Sequence, residues 1–291
     1  MYSDCSLCPR KCHADRTRSK GFCRSGSIPR VNLYKLHFGE EPVISGEKGS
    51  GTVFFEGCSL GCVFCQNYQI SRGTATGGEE ADASRLSEIF LELQSMGACN
   101  INLVTFMHFA PTVREALIKA KDSGLTIPVA ANISGYEEVS TLKLTEGLID
   151  IYMPDFKFWD SRLSASLAAA PDYREKAVAA IAEIFRQTGP AVIENGLMVK
   201  GTIVRHLMLP GNLFDSKKII DHLTDTYGND IYISLMSQYT PMPGAEGFLA
   251  RTLDPAHYDS MVDYLAGKDQ YNAFIQSMDS IGRETIPDFR Q

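Results

Sequence analysis

Six short runs rich in β-branched and apolar residues, 52–56, 100–105, 127–131, 149–155, 199–206 and 230–236, recur along the chain. Between them lie segments with helical spacing, and this alternation constrains the fold more than any other feature. Strands separated by helix-length connections pair in parallel, and right-handed crossovers curl such a sheet into a barrel or an open part of one. Several helix ends are readable. Leu86, Ile89, Phe90 and Leu93 form one apolar stripe that stops at Gly97, and Pro111 opens a second stripe, Val113, Leu117 and Ala120, that stops at Gly124. Asp172 and Glu175 have capping-box spacing ahead of Val178, Ile181, Ile184 and Phe185, and Asp215 precedes Ile219, Ile220 and Leu223. Six strands are fewer than the eight of a closed barrel. The expected fold is therefore α/β, a partial (β/α)6 TIM-type barrel over residues 46–291. A small cysteine-rich metal-binding segment over residues 1–45 precedes it, and the tail from Tyr271 reads as a short helix followed by a loop.

With 291 residues, 44% of them hydrophobic and 22% charged, the chain can bury a large single core. Its formal charge of -7 provides no basic footprint for nucleic acid. The opening MYSDCSLCPRKC lacks the apolar stretch of a secretory signal, and no apolar run nears the ~20 residues that span a bilayer. A cytoplasmic protein with no membrane or nucleic-acid partner is expected.

In a reducing compartment, clustered cysteines bind metal or do chemistry more often than they form disulfides. Of the eight cysteines, Cys58, Cys62 and Cys65 lie in GCSLGCVFCQN with C-x3-C-x2-C spacing, directly after the first expected strand. Barrel enzymes keep their active sites at that end of the strands. Three soft thiolates on a tight loop can each take one iron of a 4Fe-4S cubane and leave the fourth iron open for reaction. Gly57 and Gly61 free the loop to wrap closely. The other readings are a zinc site that borrows a fourth ligand from Cys99 or a histidine, or buried inert thiols. Cys5, Cys8, Cys12 and Cys23 form C-x2-C-x3-C-x10-C in a stretch too short for its own core, so metal would supply stability. Tetrathiolate suits zinc or an additional iron-sulfur cluster, the CxxC knuckle favouring zinc; free thiols on a tail are the remaining reading. Cys99 reads as a small core residue.

GCSLGCVFC resembles the C-x3-C-x-aromatic-C signature of the radical SAM superfamily, with Phe64 at the aromatic position. CSLCPRKC with GFCR, then NINLVT, SGYE, DIYMPDFK, VRHLMLPG and SLMSQYTP, resemble proteins labelled pyruvate formate-lyase activating enzyme-like over nearly the whole chain. The resemblance implies a 4Fe-4S cluster on Cys58, Cys62 and Cys65 whose open iron is chelated by S-adenosylmethionine. It implies cleavage to methionine and a 5′-deoxyadenosyl radical, with reduced flavodoxin or ferredoxin as electron donor. That radical abstracts hydrogen from a substrate, for an activase the backbone glycine of a glycyl radical enzyme. Modification of another protein, peptide or small molecule is the second reading, and a non-catalytic zinc-binding interaction protein the third. The family's Gly-Gly-Glu motif is spelled by Gly77, Gly78 and Glu79, but these precede the first long helix and read as a linker. The amino group of the cofactor is expected instead at Thr105 to His108, where Phe106 and Met107 depart from the family's TPTH. Asn132 and Ser134 are expected at the cofactor's ribose or carboxylate, or as turn residues. Asp155 and Lys157, two apart and so on one face, form a charged pair at the substrate mouth or an ordinary strand-end salt bridge. Arg205 suits the cofactor carboxylate through its planar fork, leaving His206 on the opposite face as a structural histidine. Gln238 and Tyr239 bound the adenine or substrate, or pack.

Overall fold

All six expected runs are strands in the structure, a computed structural model that describes residues 1–73, 75, 77–278, 287 and 289. In chain order the strands are β1 (Arg30–His37), β2 (Ser50–Phe55), β3 (Glu79–Glu80), β4 (Ile101–Val104), β5 (Val129–Ile133), β6 (Ile151–Pro154), β7 (Val192–Glu194), β8 (Leu197–Leu207), β9 (Tyr232–Met236) and β10 (Ala273–Ile275). They form one ten-stranded sheet in the order β10-β9-β8-β6-β5-β4-β2-β1-β3, with β7 paired to β8 off this path. From β2 to β10 every pairing along that path is parallel, whereas β1, β3 and β7 pair antiparallel. The result is a mixed, mostly parallel α/β fold.

Side chains alternate between the two faces of each strand. On one face Val53, Phe55, Ile101, Leu103, Val129, Ala131 and Tyr152 pack against α3 (Ala83–Ser95) and α4 (Ala110–Asp122). The same face of β8 and β9 presents Val204, Ile233 and Leu235 to α7 (Tyr173–Thr188), α8 (Leu213–Tyr227) and α9 (Pro255–Ala266). Each such fully buried aliphatic or aromatic side chain contributes ~1.5–3 kcal/mol. The remaining helices are short: α1 (Pro42–Ser45), α2 (Tyr68–Ser71), α5 (Val139–Leu142) and α6 (Ser161–Ala168). No described helix is long and apolar enough to cross a membrane.

The structure adds strands and corrects some ends. Of residues 1–45, Arg30–His37 pairs with β2, so the cysteine-rich lead merges into the sheet before residue 45. Gly77 and Gly78 do act as a linker, but Glu79 pairs with Val31 in the short β3. The tail forms a strand where a helix was expected: Ala273, Phe274 and Ile275 extend the parallel ladder beside β9. The rest of that expectation, residues 279–286, 288, 290 and 291, lies outside the described residues. Asp172 does stand at the N-terminus of α7, but its side chain makes no cap and accepts the Tyr136 hydroxyl at 2.8 Å instead.

The sheet's opposite face carries Ala130, Ile151, Met153 and Ile203, which pack on Ile44 of α1. Beside them Arg205 is buried with Glu40 and Glu41. Its Nε donates to Glu41 at 2.9 Å, its Nη2 reaches both carboxylates, and Asn102 donates to Glu40 at 2.8 Å. Removing the cation would leave two carboxylates uncompensated in the interior. Arg205→Met should therefore cost about 3–5 kcal/mol, read from urea unfolding at pH 7. An unchanged midpoint would show that the triad does not hold this face together.

Candidate functional site

β2 ends at Phe55, and the chain turns into the loop that carries Cys58, Cys62 and Cys65. Gly57 takes φ +87, and a Cβ there would meet the Cys23 carbonyl and the Ser25 hydroxyl; at Gly61, φ +67, a Cβ would overlap the Arg72 guanidinium. Only glycine fits such left-handed, closely approached positions. The loop is buried yet has left the strand ladder, so its peptide groups find partners elsewhere. Gly57 N–H donates to Ile70 at 2.8 Å, Cys58 N–H to the Cys23 carbonyl at 3.2 Å and Val63 N–H to Leu167 at 2.9 Å. Leu60 and Gly61 both aim their N–H groups at the Cys58 sulfur, each at 3.4 Å, and the Ser71 hydroxyl donates to the Cys65 sulfur at 3.4 Å. Burial, reinforced by Cys65, pushes the Cys58 thiol up to about 11, while the two N–H groups act against that rise. Cys62 is also raised by burial, opposed by the Lys157 ammonium. Phe64, expected near the cofactor, points into the core, with its ring 5.9 Å from Phe158 and 6.4 Å from Tyr239. It anchors the loop by packing.

Beside the sulfurs Lys157 and Asp155 form an ion pair of 2.6 Å. Burial opposes the lysine's charge, but Asp155 and then Cys62 raise its pKa overall, which places the ammonium close to the thiols. The Tyr173 hydroxyl organises this corner: it accepts the Lys157 N–H and lies 2.9 Å from the carbonyls of both Ser134 and Asp155. Asn132 pairs with Val104 and Met153 at the same end of the sheet. Thr105 follows β4 with φ +59 and donates its N–H to the Asn132 carbonyl at 2.9 Å. Ser134 is engaged locally, its hydroxyl donating to Glu137 at 2.9 Å.

Two expectations change. His108 is buried against Phe109 and donates from Nε2 to the Glu56 carbonyl at 3.2 Å, so it backs the loop's approach. Burial, helped by Arg16, lowers its pKa to about 3 and keeps the ring neutral. Arg205 has its fork filled by Glu40 and Glu41, which removes the donors expected for a cofactor carboxylate. His206 behaves as expected, held between the Phe156 carbonyl at 2.7 Å and the Ser216 hydroxyl at 2.8 Å.

The N-terminal lead lies directly behind the loop. Cys5, Cys8 and Cys23 are buried and Cys12 is exposed. Burial drives the Cys8 thiol up to about 12, and Glu137, Cys23 and Cys5 add to the rise, so these groups are neighbours. Burial also acts on Cys12, but N–H groups of Phe22 and Ala14 bring it below its ordinary value. Arg16 staples the lead down through the His108 carbonyl at 2.5 Å and the Gly26 carbonyl at 2.6 Å. Among the described residues, no three His, Cys, Asp or Glu side chains form a group able to hold one metal ion.

Glu137 was not singled out from the sequence. It is buried, its Oε2 has no hydrogen-bond partner among the described residues, and it lies close enough to Cys8 and Cys58 to raise both. Nothing in its spacing could have marked it, because the two sets of thiols meet only in three dimensions.

No family model matches the chain. It is 28% identical over 251 residues to the uncharacterized protein MJ0674 of Methanocaldococcus jannaschii, covering 83% of this chain and 67% of that one. Among solved structures it is similar to Streptococcus suis SuiB bound to the precursor peptide SuiA, with TM-score 0.52, 14% identity and 76% of this chain covered. It is similar also to SuiB bound to S-adenosylmethionine, with TM-score 0.51, 14% identity and again 76% of this chain covered. The chain spans about half the length of those structures, 46% and 48%.

Burial raises Glu137 from the ordinary 4.5 to about 8, so the folded chain holds a proton that the unfolded chain has released. Its contribution to stability is complete below pH 4.5 and is lost as pH rises through about 8. His108 acts with the opposite sign, but only between pH 6.5 and about 3. For metal-free protein, Glu137→Gln should therefore flatten the loss of unfolding free energy between about pH 6.5 and 8. Equal slopes in wild type and variant would contradict the assignment.

Proposed function

We propose that this chain is a radical SAM enzyme, with its sheet read as a partial (β/α)6 TIM-type barrel, acting on a protein or peptide substrate. The observation that carries the reading is the loop after β2, where three thiols gather at the end of a parallel strand with peptide N–H groups aimed at the sulfur of Cys58. The donor set fits a 4Fe-4S cluster. Soft thiolates favour iron-sulfur or zinc, and a cubane takes one thiolate per iron, whereas zinc needs all its ligands around one point. Similarity to a structure solved with S-adenosylmethionine supports the cofactor, and its counterpart solved with a precursor peptide supports a peptide or protein substrate.

Cys58, Cys62 and Cys65 would hold the cluster, and the chain's other residues prepare the place. The chemistry that a bound, reduced cluster would supply is one-electron cleavage of S-adenosylmethionine to methionine and a 5′-deoxyadenosyl radical, for hydrogen-atom abstraction from substrate. Ser71 donates to the Cys65 sulfur, and Lys157 offsets thiolate charge at Cys62 while Asp155 fixes its ammonium. Thr105, Asn132 and Ser134 line the same strand ends and are the groups available to the amino acid and ribose parts of the cofactor. Phe64, Phe158 and Tyr239 exclude water behind the loop. The lead would bind a second metal group through Cys5, Cys8, Cys12 and Cys23, as zinc or an additional cluster; zinc would require these thiols to draw together around one point, which they do not share among the described residues. Reduced flavodoxin or ferredoxin would be the electron donor.

Anaerobically purified protein should be brown and, with dithionite, convert S-adenosylmethionine to 5′-deoxyadenosine and methionine. Cys62→Ala should abolish both iron binding and cleavage. A colourless wild type holding only zinc would sink the proposal in favour of a non-catalytic interaction protein. An activase of glycyl radical enzymes, which the family resemblance suggests, should generate a glycine-centred doublet by electron paramagnetic resonance on a candidate partner. Silence across partners, with cleavage intact, would leave another protein or peptide as substrate. Cys8→Ala should lower thermal stability if the lead holds structural zinc, and change the redox signal at unchanged stability if it holds a cluster.

A further inference from the structure

The proposed cofactor loop is gripped from behind by two arginines that no motif points to. Arg10 lies between Cys8 and Cys12 of the lead, and its Nε donates to the Ser59 carbonyl at 3.0 Å while Nη2 donates to the Leu60 carbonyl at 3.0 Å. The same guanidinium binds the Ala168 carbonyl at 2.6 Å and the Ala169 carbonyl at the end of α6. Arg72, just past α2, donates to the next carbonyl along, that of Gly61. Both guanidinium groups stack over Phe22, at 4.1 Å for Arg10 and 5.7 Å for Arg72.

The peptide groups that Arg10 holds are the same ones that face the sulfur. The peptide joining Ser59 to Leu60 gives its oxygen to Arg10 and its N–H to Cys58, and so does the peptide joining Leu60 to Gly61. Two consecutive dipoles are thus clamped with their positive ends on the Cys58 sulfur and their negative ends on a guanidinium. A cation on the oxygen polarises the peptide and strengthens the N–H bond at its other end. Hydrogen bonds to cluster sulfurs and nearby positive charge both favour the more reduced, more negative state. The two effects act in the same direction.

We propose that Arg10 is a positioning residue that sets the reduction potential of the cluster loop by holding two of its peptide dipoles against Cys58, with Arg72 adding positive charge at the loop's next carbonyl. This rests on the radical SAM reading. It gives the lead a task beyond its own stability, because the turn between Cys8 and Cys12 delivers Arg10 to the loop. Only a planar fork with five donors can hold four carbonyls at once; an ammonium has three donors and no fixed plane.

The test is a redox titration, followed by electron paramagnetic resonance, of wild-type, Arg10→Ala, Arg10→Lys and Arg72→Ala protein reconstituted with iron and sulfide, compared only among chains of equal iron content. Arg10→Ala and Arg10→Lys should both show about a tenfold lower ratio of reduced to oxidised cluster at the same ambient potential, ~59 mV for a one-electron couple. Arg72→Ala should move in the same direction by less, since the one carbonyl it frees belongs to a peptide outside the pair that faces Cys58. A purely structural clamp would change melting temperature and leave the potential where it was. Wild-type potential in the loaded Arg10→Ala and Arg72→Ala proteins overturns the proposal, as does a wild-type potential in Arg10→Lys alone, which would make charge and not peptide orientation the cause. If Arg10→Ala fails to load iron, Arg10→Lys still decides. If wild type assembles no cluster at all, the radical SAM reading itself fails, a result distinct from a loaded cluster whose potential ignores both arginines.

Discussion

A buried loop that has left its sheet must find a partner for every peptide group, and that requirement at residues 57–63 organises the molecule. An unpaired buried N–H or carbonyl costs ~1–3 kcal/mol, so a turn with several of them could not persist alone. The partners come from three directions. Cys23 and Arg10 reach in from the lead, Ile70 and Arg72 from α2, and Leu167 from α6. Elements far apart in sequence are thereby tied to one point. The lead, which has little core of its own, is ordered because its polar groups complete the loop's hydrogen bonding, with Arg16 completing the same service for the turn into α4.

The thiols' own acidity argues against nucleophilic catalysis. A cysteine that attacks as a thiolate sits where its pKa is lowered, near cations or a helix N-terminus. Cys58 and Cys62 are displaced the other way by burial, so without metal they remain protonated. Metal binding must then release those protons, and the N–H groups of Leu60 and Gly61 lighten that cost at Cys58. Lys157 does so at Cys62. On the proposed reading, the loop would carry sulfur that becomes anionic only with a metal cation present.

How much of this could be read from the chain depended on whether the signal was local. The six central strands were legible because strands buried on both faces read as continuous apolar runs. β1, RVNLYKLH, mixes Arg30, Asn32 and Lys35 with apolar residues and lies near the sheet's edge, so it carries no such run. β7 is exposed throughout and exists only as the return of a hairpin with β8. The gathering of Cys58, Cys62 and Cys65 was legible because all three lie on one short loop. Arg205 was misread because its true partners, Glu40 and Glu41, are over a hundred and sixty residues away and the desolvation that binds them together has no sequence signature. Arg10, Arg72 and Tyr173 were invisible for a different reason. Each acts on main-chain groups, which every residue type supplies.

The charge layout around the two sets of thiols follows the same logic. Glu137 lies close to both, buried and with one oxygen unpartnered among the described residues, so carrying a negative charge there would add desolvation to repulsion from Asp155. Holding a proton is the cheaper state, and the rise toward about 8 reflects it. The cations stand at the perimeter: Arg10 and Arg72 on the carbonyl side of the loop, Lys157 beside Cys62 and Cys65. In the lead a guanidinium already touches a thiol, since Arg16 donates from Nη1 to the buried Cys5 sulfur at 3.6 Å. Further positive charge at the sulfurs would arrive with a metal ion, which would tie the ionisation of both sulfur sets to what they bind.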